Sequence, residues 1–276
     1  MRLDLYLAKN RKLVNDSLKK YLPECSPYSK KVCDAVHYSV FTGGKRIRPI
    51  LAIAGAESVG GTVREVIPLA CAIEFIHAYS LIHDDLPCMD DDDYRRGKLT
   101  CHKKFNEAIA VLAGDALLTR AFQILINELK RKNAAYSIKI LANAVGTGGL
   151  IGGQTADIEN KKISAGLLNY IHSNKTSALI KASVVSGAVW HGASKEQIKR
   201  LTGYGHKIGM AFQIMDDIDD YNNEKSKVTY PNLYGLKKSE KIARNLVAES
   251  KKELDMFGKN AEALRMIADY ITKRKN

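Results

Sequence analysis

The sequence predicts an all-α protein, a single-domain helical bundle of about ten or more helices spanning residues 1–276. Three observations predict it. Apolar residues recur at helical spacing along nearly the whole chain. No segment alternates apolar and polar residues as a half-buried strand would, and no internal repeat occurs. No Gly/Ser/Pro-rich linker divides the chain. Composition agrees: apolar residues make up 45%, enough for a substantial core, and only 6 prolines interrupt the helical pattern.

The elements follow in order. Leu3, Leu7, Val14, Leu18 and Leu22 mark one face of an N-terminal helix, ended by Pro23 and Pro27. A second helix through Val32, Val36 and Val40 stops at Gly43-Gly44. Pro49 suits the first turn of a third, which runs to Gly60-Gly61. Thr62 and Glu65 form a capping-box pattern for a fourth, continuing to Asp85. Further helices fit 105–131, 134–147, 174–191, 195–221, 239–256 and 260–272, with a second capping box at Ser194 and Gln197.

The formal net charge of +13 suits an anionic partner or a Lys-rich surface. No zinc-finger spacing or RNA-recognition motif is present, so nucleic acid is not expected and small phosphorylated ligands are favoured. The five cysteines, Cys25, Cys33, Cys71, Cys88 and Cys101, are odd in number and form no C-x-x-C pair. The N-terminus leads into no apolar run, and no uninterrupted apolar stretch reaches the roughly 18 residues of a membrane span. The expectation is a reduced, cytoplasmic protein with ordinary buried thiols and no membrane span.

Residues 83–97 carry the strongest signal: His-Asp-Asp-Leu-Pro-Cys-Met-Asp-Asp-Asp-Asp-Tyr-Arg-Arg-Gly. So many like charges repel in a packed helix. They follow an apolar helical stretch, Leu69 to Leu86, and Pro87 breaks it there. Hard oxygen ligands on such a loop suit Mg²⁺. An EF-hand calcium loop is excluded by the missing Gly and Glu at its sixth and twelfth positions. A second cluster, Asp216-Asp217-Ile218-Asp219-Asp220, closes the apolar stretch Ile208 to Ile218. Asp216 and Asp220 share a helix face, a destabilising pair unless a cation lies between them.

Basic residues complete the pattern. Gly43-Gly44-Lys45-Arg46-Ile47-Arg48 joins permissive glycines to two charges at i, i+3. Adjacent Arg95 and Arg96 suit bidentate phosphate binding. Lys175-Thr176 lies at a helix start, Gln213 stands three residues before Asp216, and His77 shares the helix face of Asp84.

Taken together these residues resemble the isoprenyl diphosphate synthases, the trans-prenyltransferases, and most closely the bacterial farnesyl-forming members. The resemblance rests on Gly43-Gly44-Lys45-x-x-Arg48, Asp84-Asp85-x4-Asp90 with Arg95-Arg96-Gly97, Lys175-Thr176 and Asp216-Asp217-x2-Asp220, in that order. It implies an isoprenoid synthase fold around a central cavity, working as a homodimer. It implies three Mg²⁺ ions, with Mn²⁺ an alternative, held by Asp84, Asp90 and Asp216 and supported by Asp85 and Asp220. Arg95 and Lys175 would grip an allylic diphosphate; Gly44, Lys45, Arg48, His77 and Arg96 would hold isopentenyl diphosphate. Thr176 and Gln213 would place oxygens near a carbocation, with Phe212 by the second substrate. Tyr79, with Ser80 beside it, would set chain length at fifteen carbons, the alternative being a twenty-carbon, geranylgeranyl-forming member of the family.

The sequence departs from the family pattern after Asp220. A longer lysine-bearing loop is common there; here Lys225 and Lys227 are the candidates to replace it, and Asp219 is an additional acid. Asp216, Asp220 and Glu224 at i, i+4, i+8 partly echo a terpene cyclase, but Lys45, Arg48 and Arg96 form a second anion site that a cyclase does not need. A catalytically silent subunit is disfavoured because both acidic motifs are complete.

Overall fold

The computed structural model describes residues 2–159, 164–221 and 229–273. It is helical nearly throughout: α1 Leu3–Tyr21, α2 Lys30–Phe41, α3 Ile47–Ser58, α4 Val63–Asp84, α5 Cys101–Lys104, α6 Glu107–Ile126, α7 Ala134–Val145, α8 Leu150–Glu159, α9 Ala165–Ile171, α10 Ala178–Trp190, α11 Lys195–Asp219, α12 Tyr230–Tyr234, α13 Leu236–Lys252 and α14 Glu262–Lys273. The chain groups into two compact units. One comprises Leu7–Ile50 and Ile67–Ala134; the other comprises the residues up to Tyr6, Leu51–Val66 and the chain from Ala135 onward.

In the first unit, α4 supplies the core. Leu69, Ile73, Phe75 and Ile76 are fully buried, with Val14 and Leu18 of α1 and Leu117 and Leu125 of α6. α2 packs on α6. Arg120 of α6 donates through Nε to the Tyr21 carbonyl at 2.8 Å, satisfying an orphan acceptor at the end of α1. Gly114 permits close packing of α6 on α4, since a Cβ there would lie 2.1 Å from His83 Nε2.

In the second unit, α10 is buried along its whole length. Gly55 and Gly187 let α3 and α10 touch backbone to backbone: an added Cβ would sit 2.2 Å from the Val184 carbonyl oxygen or 2.1 Å from that of Ala52. α11 packs on α10, α13 and α14. Its start carries the predicted capping box, Ser194 and Gln197 each bonding the other's backbone N–H. Tyr204, fully buried, donates to the Leu264 carbonyl at 2.7 Å.

Each expected helix is present, within a few residues at most ends. At the start of the fourth helix, Thr62 Oγ1 bonds the Glu65 carboxylate at 2.6 Å. α5, α8, α9 and α12 were not expected. α8 carries Gly152-Gly153, which weaken a helical pattern, and α5, α9 and α12 are too short to show a period. Before α10 the chain forms a π-helical turn, His172–Ser177, so Lys175 and Thr176 sit in a widened turn rather than an α-helix start. A two-stranded antiparallel hairpin pairs Tyr94 with Leu99 and Arg95 with Lys98. Its turn residues Arg96 and Gly97 both have positive φ, 54° and 73°, as a type I′ hairpin turn requires.

One further expectation is corrected. Cys25 and Cys33 form a disulfide and Cys88 is exposed, so only Cys71 and Cys101 are buried free thiols. The eight-residue separation closes a small ring across the α1–α2 connection, a spacing that no sequence motif marks. By length and composition alone α4 and α6 are each long and apolar enough to cross a membrane, because occasional charges do not lower a window's hydropathy far. α4 is mostly buried by protein, as a core helix is. Lys225 and Lys227 lie outside the described residues.

Gly187→Ala should destabilise the fold by about 1–3 kcal/mol through overpacking. Gly166→Ala, whose methyl would meet nothing closer than 3.9 Å, should not. Urea unfolding of the two variants checks this; equal stability would contradict the close α3–α10 contact.

Candidate active site

α4 ends at Asp84, and the chain turns back on itself. The Asp90 N–H donates to the Asp84 carbonyl at 2.9 Å, and the Asp91 N–H to that of Leu86 at 3.1 Å. This closure brings Asp84 and Asp90 together although six positions separate them. Asp84 is half-buried and Asp90 exposed. Asp85 points inward: its side chain is 5% exposed and pairs with Arg95 Nη2 at 2.5 Å and Nε at 2.6 Å. Burial raises the Asp85 pKa, and Arg95 opposes that rise. Arg95 also reaches Asp92 at 3.3 Å, and Lys103 reaches Asp93 at 2.7 Å. The hairpin thus carries counter-charge back onto the acidic loop.

The same unit holds the predicted basic residues. Arg96 Nη1 donates to the Gly43 carbonyl at 2.6 Å. Gly44, at φ 119°, lies so close that a Cβ would meet this guanidinium at 2.6 Å. The glycines therefore admit an arginine side chain. Lys45 is exposed and Arg48 half-buried. Arg48 Nη1 lies 3.3 Å from His77 Nε2. Burial, then Arg48, Arg96 and Arg95, hold the His77 pKa well below its usual value, so the ring is neutral. Arginine can only donate, so Nε2 accepts and the ring proton sits on Nδ1. Beneath this loop a cavity is lined by Thr42, Arg46, Glu74, His77, Arg95 and Arg96.

Tyr79 is 5% exposed on α4, five positions before Asp84. Its hydroxyl has no hydrogen-bond partner among the described residues, and burial, with a smaller effect of Asp84, pushes its pKa up to about 12. Its ring meets His83 edge-on at 5.8 Å. Ser80, also buried, donates back to the His77 carbonyl at 3.0 Å.

In the second unit, glycines bring two helices onto the π-helical turn. A Cβ on Gly153 would fall 2.1 Å from the Lys175 backbone nitrogen, and one on Gly209 would fall 2.4 Å from Ser177 Oγ. Lys175 Nζ bonds Asp157 at 2.7 Å. Thr176 Oγ1 donates to Gln213 Oε1 at 2.6 Å, and Gln213 Nε2 donates to Asp217 at 3.3 Å. Asp217 is buried and also accepts from the Tyr230 N–H at 3.0 Å. His172 Nε2 stands 3.5 Å from it, stacked on the Tyr230 ring at 5.3 Å. Burial lowers the His172 pKa to about 4. Asp216 and Phe212 are half-buried and Asp220 is exposed. The Asp220 N–H donates to the Asp216 carbonyl at 3.0 Å, one helical turn away.

Asp85 and Arg95 are thus in contact in the first unit, as are Arg96 and Gly43, and Arg48 and His77; Thr176 and Gln213 are in contact in the second. Sequence reasoning missed Asp157, which anchors Lys175, His172, which backs Asp217, and Arg46, which was passed over between Lys45 and Arg48. None had a cue, because each acts through a neighbour that is distant in the chain. Among the described residues, no three carboxylate, imidazole or thiol groups are gathered into a ready-made metal cage.

Comparison with known proteins gives the family. A family model described as polyprenyl synthetase matches residues 29–258. A dimethylallyltranstransferase of Fischerella ambigua is 45% identical, over 98% of this chain and 83% of the relative. A geranylgeranyl diphosphate synthase of Cyanophora paradoxa is 42% identical, over 98% and 96%. The crystal structure of an FPP/GFPP synthase from Zymomonas mobilis superimposes with a TM-score of 0.92 at 36% identity, covering 98% of each chain.

The depressed His172 pKa has a consequence for stability. Below its ordinary value of 6.5 the unfolded chain takes up a proton that the folded ring, with a pKa of about 4, refuses. Its contribution is complete above pH 6.5 and is lost as pH falls towards 4. Replacing His172 with Asn should flatten the fall in unfolding free energy between pH 6.5 and 5 by about 2 kcal/mol. Denaturant titrations at both pH values read this directly; an unchanged slope in the variant would contradict a neutral, buried His172.

Proposed function

The chain belongs to the polyprenyl synthetase family and is a trans-prenyltransferase; from that premise we propose that it joins isopentenyl diphosphate to dimethylallyl and then geranyl diphosphate, releasing farnesyl diphosphate. The observation that carries the product assignment is Tyr79. A tail entering beside Asp84 and running along α4 meets this ring after about 7.5 Å of helical rise. A buried aromatic there is a floor.

The carboxylates fit magnesium. Mg²⁺ commonly binds through one or two carboxylates and completes its shell with water and substrate phosphate oxygens, so no preformed cage is required. We assign Asp84 and Asp90 to two ions and Asp216 to a third, with Asp220 supporting; Mn²⁺ satisfies the same oxygens. When bound, the ions supply Lewis acidity that stabilises charge building on the departing diphosphate.

The side chains do the rest. Arg95 and Lys175 bind the allylic diphosphate; Asp85 and Asp157, their present partners, aim them. Lys45, Arg48, His77 and Arg96 bind isopentenyl diphosphate. The Thr176 hydroxyl proton is committed to Gln213, which leaves the oxygen's lone pairs for a developing allylic cation. Phe212 lies by the second substrate, and apolar walls keep water from the cation. No protein nucleophile is needed, and the proton released on coupling leaves with pyrophosphate. In this reading residues 1–276 are one catalytic domain, in the cytoplasm. A homodimer would cover the exposed Val111, Leu112 and Ile126 of α6, and neither α4 nor α6 would cross a membrane.

Incubation with dimethylallyl and isopentenyl diphosphates and Mg²⁺ should give mainly a fifteen-carbon product. Tyr79→Ala should shift it to twenty carbons or longer, with total turnover kept within about tenfold. An unchanged product distribution in that variant removes Tyr79 as the floor. Failure of the wild type to consume isopentenyl diphosphate removes the reaction itself.

A further inference from the structure

Arg46 stands in the middle of the basic loop, yet its guanidinium is already occupied. It is 5% exposed and donates to three acceptors: Asn15 Oδ1 at 2.8 Å, Glu74 Oε1 at 2.5 Å and the Val40 carbonyl at 2.6 Å. Its φ is 54°, a left-handed conformation that a residue with a long side chain rarely adopts unless its surroundings impose it. Glu74 is 3% exposed. The pair is therefore buried on both sides, and the guanidinium is committed to these three acceptors.

The neighbours of Arg46 explain the strain. Glu74 and His77 lie three apart on one face of α4 and engage arginines two apart in the loop: Glu74 bonds Arg46, and His77 meets Arg48. Gly43 and Gly44, also at positive φ, place a carbonyl on Arg96 Nη1. An α-helical Arg46 would extend α3 backwards and swing Lys45 and both glycines away from Arg96.

We propose that the buried Arg46–Glu74 pair is a positioning device for the isopentenyl diphosphate site: by holding Arg46 left-handed it sets Lys45, Arg48 and Arg96 around one anion. This rests on the function proposed above. It separates two kinds of arginine in the loop, one spent on shape and one kept for the ligand.

The test is the double variant Arg46→Met/Glu74→Met. Replacing a buried ion pair with apolar residues of similar size is often neutral or stabilising, so the fold should survive. The KM for isopentenyl diphosphate should rise at least about tenfold, while kcat and the allylic KM stay within about threefold and the melting temperature holds. A pair that only stabilised the core would leave all three kinetic constants unchanged in a folded variant. Glu74→Gln, near-isosteric, serves if the double variant does not fold, and should raise the same KM by about threefold or more. A KM equal to wild type in whichever folded variant is measured overturns the proposal. Wild-type saturation by isopentenyl diphosphate, measured first, tests the functional reading independently.

Discussion

Concentrated negative charge is the constraint on which the rest of this structure depends. Asp84, Asp85, Asp90, Asp91, Asp92 and Asp93 occupy one short loop. Left alone they would drive the loop apart. The fold answers with counter-charge that is covalently close: the hairpin returns Arg95 to Asp85 and Asp92, and Lys103 reaches Asp93. At the mouth of the loop a backbone hydrogen bond from the Asp90 N–H to the Asp84 carbonyl draws those two residues together. The second acidic cluster is managed in the same way. Asp217 is absorbed by Gln213, the Tyr230 backbone and His172, while Asp216 and Asp220 stand one turn apart on the helix end. In each cluster a buried acid, Asp85 or Asp217, is held by neighbouring side chains of its own unit.

Backbone strain follows the same map. Among the described residues, the non-glycine residues at positive φ are Arg46, Asp91 and Arg96, all in the two loops that carry the basic and acidic motifs. The π-helical turn at His172–Ser177 holds Lys175 and Thr176. Such irregularities persist only on rigid supports. At the π-helical turn the supports are the helices that close on it through Gly153 and Gly209.

The long helices were legible because their apolar faces repeat over several turns. The motifs were legible because clustered acids and bases are improbable unless a ligand offsets them. α8 was hidden by Gly152-Gly153, and the same small residues are what let it close on Lys175. The hairpin was hidden because its strands are two residues long and its turn is Arg-Gly rather than Asn-Gly. The supporting residues were hidden for a deeper reason. Asp157, His172 and Arg46 act by contacts across 18, 45 and 28 positions, which no local pattern records. The Cys25–Cys33 bridge belongs to the same class, since an odd cysteine count gives no pairing.

The proposed reaction requires that the acids at 84 and 216 act on one diphosphate. It is tested most directly by calorimetric titration of an unreactive geranyl thiodiphosphate at fixed Mg²⁺ into wild type, Asp84→Asn, Asp216→Asn and the double variant. Each single variant should lose affinity by about tenfold or more, and the double variant should lose clearly less than the sum of the two free-energy losses. Wild-type affinity in either single variant, or strictly additive losses, would place the two motifs at separate sites and contradict the account.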